Sequence, residues 1–195
     1  MGTRKRFGLV IDLERCIGCH TCTIACQLEN DMEVNSGVRV ETIGGKHRDT
    51  PIGKHPDVSM HFLPVPCMHC QKPPCVDACP VGAIYKREDG IVLVDQGMCD
   101  GCQACVASCP YGALSYDGQR NTVWKCSLCA DRVDKGLVPF CVVCCGTEAM
   151  HFGDLMDTQS PVYKWRIQKG AGVLRPEAGT EPAVFYCPTR QGRID

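Results

Sequence analysis

Short apolar runs separated by turn residues recur along the chain and predict small β-hairpins. Residues 81–85 combine a Gly-Ala step with apolar side chains, and after a Glu-Asp-Gly turn the apolar run 91–95 follows. The same step returns at residues 111–115, where an Asp-Gly turn leads into residues 122–124. Apolar runs bounded by such turns are typical of paired strands, and self-similarity indicates an internal repeat. The pattern predicts two similar hairpins, with a further short strand at residues 7–11.

The C-terminal part contains one clear helix. Ser160 takes the N-cap position, Pro161 the first helical position, and Gly170 ends the element. Residues 173–186 contain prolines and predict an extended strap.

The segment of residues 31–66 is rich in glycine, histidine and charged side chains, and predicts an inserted surface excursion whose ends meet. His47, His55 and His61 lie in or beside it without regular spacing. We therefore interpret them as solvated or capping histidines and not as metal ligands.

The composition of the chain argues against several classes of function. The chain has 195 residues, 44% hydrophobic and 22% charged, which is typical of a globular chain of one or two domains. Its net charge of −1, without a basic stripe, argues against a nucleic-acid surface. The longest apolar runs, residues 91–94 and 138–145, are too short for direct membrane insertion. Aromatic side chains make up only 6% of the chain, so something besides large side chains must complete its interior.

The N-terminus carries basic residues, but no apolar stretch long enough for a signal peptide follows residues 1–7. We therefore expect the chain to be cytoplasmic, or to be exported together with a signal-bearing partner.

Eighteen cysteines are the dominant feature of the composition, and their spacing is informative. The first and third blocks have the C-x2-C-x2-C-x3-C spacing of bacterial ferredoxins. The second block has two extra residues in its middle gap, and the fourth opens that gap further. The blocks contain sixteen of the 18 cysteines: Cys16, Cys19, Cys22 and Cys26; Cys67, Cys70, Cys75 and Cys79; Cys99, Cys102, Cys105 and Cys109; Cys126, Cys129, Cys141 and Cys145.

This spacing suits iron–sulfur clusters. Three thiolates spaced by two residues can surround one cluster, whereas the fourth cysteine ligates the other cluster of a pair. Pro80 and Pro110 turn the chain away after the last cysteine of their blocks. Gly18 and Gly101 suit a tight cluster-binding loop.

Zinc and disulfide bonds are the alternatives. A zinc site uses two C-x2-C pairs, so a run of three thiolates leaves an odd member. A secreted disulfide scaffold lacks its signal. A zinc-binding structural module is kept as the alternative from another functional class.

Four segments carry a resemblance to a known family: residues 8–12, 67–75, 152–155 and 174–180. With the cysteine blocks, they resemble the four-cluster iron–sulfur subunit of molybdopterin oxidoreductases of the dimethyl-sulfoxide-reductase type. Among its branches, the chain is most similar in appearance to subunits of polysulfide and thiosulfate reductases.

The resemblance implies an α+β fold of two interlocked bacterial-ferredoxin-like units with short hairpins, many loops, one C-terminal helix and an extended tail. The outer unit would comprise residues 1–30 and 120–155, and the inner unit residues 67–119. Residues 31–66 would be the insertion and residues 156–195 the helix and strap. The implied cluster ligands are Cys16, Cys19, Cys22 and Cys145; Cys126, Cys129, Cys141 and Cys26; Cys67, Cys70, Cys75 and Cys109; Cys99, Cys102, Cys105 and Cys79.

Some relatives replace one cysteine of the third block by tryptophan and carry a three-iron cluster, but Cys102 is intact here, so four [4Fe–4S] clusters are expected. Gly146 stands where the family has proline, and Cys144 adjoins Cys145. We choose Cys145 as the ligand because it preserves the x3 gap. Cys187 is interpreted as a small apolar residue.

No arrangement for bond-making catalysis accompanies the clusters, so the expected function is electron transfer. Lys125 and Arg15, each directly before a block, either raise the potential of a nearby cluster or are ordinary surface charges. The expected partners are a molybdopterin catalytic subunit, with molybdenum or tungsten, and a quinone-linked membrane subunit or a soluble carrier. A hydrogenase or formate-dependent complex is the alternative partner.

Overall fold

The computed structural model describes residues 5–32, 37–192 and 194. In these ranges the helices are α1 (Thr21–Glu29), α2 (Pro74–Asp77), α3 (Ala104–Ser108), α4 (Ala130–Val133), α5 (Phe140–Val143) and α6 (Pro161–Gln168). The strands are β1 (Phe7–Asp12), β2 (Arg39–Ile43), β3 (Ile52–Lys54), β4 (Asp57–Ser59), β5 (His61–Val65), β6 (Ile84–Lys86), β7 (Val92–Val94), β8 (Leu114–Asp117), β9 (Thr122–Lys125), β10 (Met150–Asp154) and β11 (Val184–Cys187).

The largest sheet among the described residues has three strands in the order β10-β1-β11. Strand β1 pairs antiparallel with β10 and parallel with β11, and its residues Leu9, Val10 and Ile11 are fully buried. The strand predicted at residues 7–11 is therefore confirmed. The first four residues of the basic N-terminal stretch lie outside the described ranges.

The two predicted hairpins are confirmed as β6–β7 and β8–β9. Their inward-facing side chains form one apolar cluster with two of the cysteines. The cluster contains Cys75, Ile84, Val92, Cys105, Leu114 and Val123. The two hairpins of the repeat thus pack against the same cysteine-rich interior.

The insertion is held at its base by β2 and β5, which pair from Arg39 opposite Val65 to Ile43 opposite His61. Its ends meet as predicted, and β3–β4 forms a separate hairpin beyond them. The prediction of a surface segment is wrong for β5, because His61, Leu63 and Val65 are buried there. Residues 33–36 of the insertion lie outside the described ranges.

The predicted C-terminal helix is confirmed as α6, which begins at Pro161 and is followed by Gly170 at φ 58°. The Ser160 side chain makes no capping hydrogen bond, so its N-cap position is backbone geometry alone. The predicted extended strap is interrupted by a 3-10 turn that begins at Pro176 (Pro176–Ala178), and there the prediction is wrong. Its end is extended as predicted and forms strand β11, because apolar Val184 and Tyr186 are buried beside β1.

Candidate metal centres

All 18 cysteines lie in the described part of the chain, and the structure gathers sixteen of them into four groups. Within each group the thiols lie close enough to raise one another's pKa. Each group takes three thiols from one block and one from another. We name them quartet 1 (Cys16, Cys19, Cys22, Cys145), quartet 2 (Cys26, Cys126, Cys129, Cys141), quartet 3 (Cys67, Cys70, Cys75, Cys109) and quartet 4 (Cys79, Cys99, Cys102, Cys105).

Two quartets line cavities with apolar walls. Quartet 1 lines one of them together with Val40, Pro64 and Met150. Quartet 3 lines the other together with Val92 and Leu114. The thiols of these two quartets thus face a space that is bounded largely by apolar side chains.

The quartets do not close around a point. In the described part of the chain, no group of three or more His, Cys, Asp or Glu side chains could hold a single metal ion. Zinc would draw its four sulfurs to about 2.3 Å from one centre. Thiols arranged around a cavity instead suit a polynuclear group, and soft thiolate ligands are those that iron–sulfur clusters take. The residues therefore fit [4Fe–4S] clusters, and their role as ligands stays a prediction.

The same backbone device precedes the second cysteine of every block. Gly18, His69, Gly101 and Leu128 have φ angles of 67°, 41°, 74° and 55°. Positive φ turns the chain tightly enough to bring the first two thiols to one side, and it is easiest for glycine. The tight turn expected at Gly18 and Gly101 is confirmed. His69 and Leu128 adopt the same turn although they carry side chains, and both side chains are buried.

The third cysteine of every block is the second residue of a helix. Cys22 begins α1 in this way, Cys75 α2, Cys105 α3 and Cys141 α5. The uneven spacing of the second and fourth blocks therefore changes only the segment before the helix, which in the fourth block includes α4. A common position of the third thiol is what lets four dissimilar sequences form similar quartets.

The fourth cysteine accepts a hydrogen bond from the backbone amide four residues later. Ala83 N–H donates to Cys79 Sγ at 3.2 Å, Ala113 to Cys109 at 3.5 Å and Ala149 to Cys145 at 3.3 Å. This bond marks Cys145, and not its neighbour Cys144, as the equivalent of Cys79 and Cys109. The corresponding signal in the sequence is an alanine four residues after the last cysteine of the block. Cys145 has this alanine, although it lacks the proline that follows Cys79 and Cys109.

The first block departs from this rule, because the Asn30 side chain replaces the amide. Its Nδ2 donates to Cys26 O at 2.7 Å and approaches Cys26 Sγ at 3.8 Å. Sequence reasoning did not single out Asn30.

Burial dominates the electrostatics of the thiols. It raises the pKa of Cys22 to about 12, that of Cys75 to about 12 and that of Cys26 to about 11. Such thiols hold their protons at neutral pH, so a metal group must displace them on binding. Cys19 differs, because the Thr21 hydroxyl bonds to its sulfur and lowers its pKa.

The tail contributes residues that sequence reasoning missed. The Thr180 hydroxyl is 2.6 Å from the Tyr111 hydroxyl and hydrogen-bonds the Cys70 thiol, whose pKa it lowers against the larger effect of burial. Backbone amides of Gln71 and Lys72 donate to Glu181 O and Thr180 O. The tail thus fastens the loop of quartet 3, and its resemblance to the family was the one available signal.

Four residues outside the quartets can now be placed. Cys187 is buried in β11, and Cys144 is half-buried. Arg15 pairs at 3.4 Å with Glu148 on the exposed surface. Lys125, in contrast, is only 4% exposed, so its interpretation as a surface charge is wrong.

Comparisons with known proteins point in one direction. Residues 58–155 match the family model of a 4Fe-4S dicluster domain, and residues 7–28 that of a 4Fe-4S binding domain. The iron–sulfur subunit of a putative dimethyl sulfoxide reductase of Halobacterium salinarum is 41% identical, with 92% of this chain and 78% of the relative covered. A tetrathionate reductase subunit of Salmonella typhimurium is 40% identical (94% and 72% covered). A polysulfide reductase chain of Wolinella succinogenes is 37% identical, with 98% of each chain covered.

These relatives give no support to the alternative readings, a hydrogenase or formate-dependent complex and a zinc module. Among the described residues, no helix combines the length and apolar character that a membrane span requires.

Proposed function

The protein belongs to the family of iron–sulfur subunits of dimethyl sulfoxide, tetrathionate and polysulfide reductases, and on that premise we propose that its four quartets hold four [4Fe–4S] clusters. When bound, these clusters supply one-electron oxidation and reduction. The observation that carries the proposal is the gathering of sixteen cysteines into four groups across block boundaries.

The exchange of fourth cysteines supports a nested arrangement of two ferredoxin-like units. Quartets 1 and 2 exchange Cys145 and Cys26, and join residues 1–30 to residues 120–155. Quartets 3 and 4 exchange Cys109 and Cys79 within residues 67–119. Residues 31–66 and 156–195 would then be additions to this nested pair.

Proximity of thiols supports a row in the order of the quartet numbers. Cys22 of quartet 1 raises the pKa of Cys141 in quartet 2, and Cys67 of quartet 3 raises that of Cys126 in quartet 2. Quartets 3 and 4 share one apolar cluster through Cys75 and Cys105.

The ends of this row are the exposed ones. Cys19 of quartet 1 and Cys102 of quartet 4 are exposed, whereas every other cysteine in the described part of the chain is buried or half-buried. Electron exchange with partners requires close approach, so these two ends are the proposed contact points. A molybdopterin catalytic subunit would lie at one end, and a quinone-linked subunit or soluble carrier at the other.

The chain's own residues would bind the clusters, orient them and surround them with apolar side chains. The amides of Ala83, Ala113 and Ala149 bond to ligand sulfurs, and such hydrogen bonds tune cluster potentials. The hairpins β6–β7 and β8–β9 pack apolar side chains against Cys75 of quartet 3 and Cys105 of quartet 4.

Paired cysteine substitutions test the assignment. Cys70→Ser with Cys109→Ser removes two ligands of quartet 3, so one cluster should be lost. Cys105→Ser with Cys109→Ser removes one ligand each from quartets 4 and 3, so two clusters should be damaged, although both cysteines belong to the third block. Iron analysis and electron paramagnetic resonance of anaerobically purified variants measure the difference. Equal losses in the two variants would contradict the exchange.

Co-purification tests the partner. The tagged chain, isolated anaerobically from its native host, should bring with it a large subunit that contains pterin and molybdenum or tungsten. Isolation with a nickel-containing hydrogenase subunit instead would overturn the partner assignment and leave the cluster assignment intact.

A further inference from the structure

Lys125 lies at the junction between the outer and inner pairs of quartets. It is the last residue of β9, and its side chain is buried. Its Nζ donates hydrogen bonds to the carbonyl oxygen of Val92 and, at 3.0 Å, to that of Cys126. Val92 lines the cavity of quartet 3, whereas Cys126 belongs to quartet 2. One ammonium group thus contacts the walls of two neighbouring centres.

This cation has no carboxylate partner. None of the ion pairs in the described ranges includes Lys125. The neighbouring His69 is fully buried, and its Nδ1 accepts a hydrogen bond from the Val92 backbone amide at 3.0 Å. An imidazole carries no negative charge, so His69 does not balance the ammonium. Burying an ammonium without an opposite charge is costly, so a compensating anion is expected nearby.

The thiols of the two quartets are the groups that could supply that charge. Cys75 packs in one apolar cluster with Val92, and Cys126 directly follows Lys125, so thiols of quartets 3 and 2 adjoin the two carbonyl groups that Nζ contacts. A cluster held by four thiolates carries net negative charge, which increases when it is reduced. A fixed cation beside it favours the reduced form.

We propose that Lys125 is a positioning cation shared by quartets 2 and 3, and that it raises the reduction potentials of the groups held by both. This inference rests on the proposed function, because it requires clusters in both quartets. Its effect is selective: quartets 1 and 4 have no contact with Lys125 among the hydrogen bonds of the described residues. The lysine would keep the two buried centres reducible where solvent does not reach them.

The test is redox potentiometry, followed by electron paramagnetic resonance, on the anaerobically purified chain and four variants, of which Lys125→Gln is a second neutral substitution. Lys125→Met removes the charge and keeps most of the side-chain length. Lys125→Arg keeps the charge. Lys135→Met, on the exposed surface, is the matched control for loss of one positive charge. Iron content is measured first, so that a chain without clusters refutes the proposed function before any potential is compared.

In Lys125→Met, two of the four midpoint potentials should fall, each by about tenfold in the reduction equilibrium, or ~59 mV for a one-electron couple. The reduction equilibrium constants of the other two groups should stay within twofold of those in the unsubstituted chain. All four constants should do so in Lys135→Met. In Lys125→Arg, the midpoint potentials of the groups in quartets 2 and 3 should stay near their original values.

Three results would overturn the inference. All four potentials could be unchanged in Lys125→Met with full iron content. All four could fall together, which is a nonspecific charge effect. Third, Lys125→Met and the second neutral variant, Lys125→Gln, could both lose iron while Lys125→Arg keeps its iron but has altered midpoint potentials at quartets 2 and 3. The lysine would then be needed for folding alone. Retention of the original potentials in Lys125→Arg, with iron lost only in the neutral variants, would support the need for a cation.

Discussion

Gly18→Ala should weaken the loop of quartet 1 through a clash that the structure defines. Gly18 has a φ of +67°, and an added Cβ would lie 2.6 Å from Cε1 of the Phe62 ring. The left-handed conformation costs a non-glycine residue roughly 1–2 kcal/mol. Overpacking against the ring adds about 1–3 kcal/mol. The substitution should therefore cost about 2–5 kcal/mol in total.

Gly82→Ala separates the two contributions. Gly82 has the same φ of +67°, but an added Cβ there would meet no described atom within 4 Å. Gly82→Ala should therefore lose only the conformational contribution. The difference in the free energy of unfolding between the two variants isolates the clash with the ring, which is worth about 5- to 150-fold in the unfolding equilibrium constant.

The assay follows loss of visible cluster absorbance against guanidinium concentration under anaerobic conditions. Phe62→Ala removes the ring, so combining it with Gly18→Ala should recover part of the loss, as a double-mutant cycle measures directly. Equal stability of Gly18→Ala and Gly82→Ala, or strict additivity of the Gly18 and Phe62 changes, would refute this packing of the insertion on the loop.

The remaining predictions concern ligands, the tail and pH. Cys145→Ser should cost one cluster's iron, whereas Cys144→Ser should retain full iron content; the reverse result in an iron assay would reassign the ligand. Thr180→Val should speed loss of the quartet 3 cluster signal, because Tyr111 and Cys70 lose a buried partner worth about 1–3 kcal/mol, while exposed Thr158→Val should not. Because burial raises the pKa of Cys22 and of Cys75 to about 12, cluster insertion must release protons. The yield of anaerobic reconstitution should therefore rise between about pH 7 and pH 8.5, and a yield independent of pH would argue that the thiols are already ionised.

Sequence predicted those parts of the fold whose signals are local. The hairpins follow from apolar runs around Asp-Gly turns, and α6 follows from Pro161 and Gly170, because neighbouring residues determine these elements. The grouping of the cysteines followed from the family resemblance. The spacing alone indicates that the fourth thiol of a block joins another cluster, but it does not indicate which block supplies that cluster.

Long-range contacts could not be predicted in this way. The parallel pairing of Leu9 with Val184 joins distant segments, and no local pattern selects that partner. The contact of Thr180 with Tyr111 likewise depends on how the tail returns over the inner unit. Lys125 was ambiguous because a charged residue before a cysteine block is exposed in one environment and buried in another. Only its carbonyl contacts to Val92 and Cys126 decide between them.

The metal content of the anaerobically purified chain tests most directly whether the sixteen cysteines hold four clusters. Four [4Fe–4S] clusters require about sixteen irons and an equal number of acid-labile sulfides per chain. The purified chain should have this stoichiometry, with paramagnetic signals appearing on reduction. Markedly fewer irons in a fully folded sample, or zinc in their place, would contradict it.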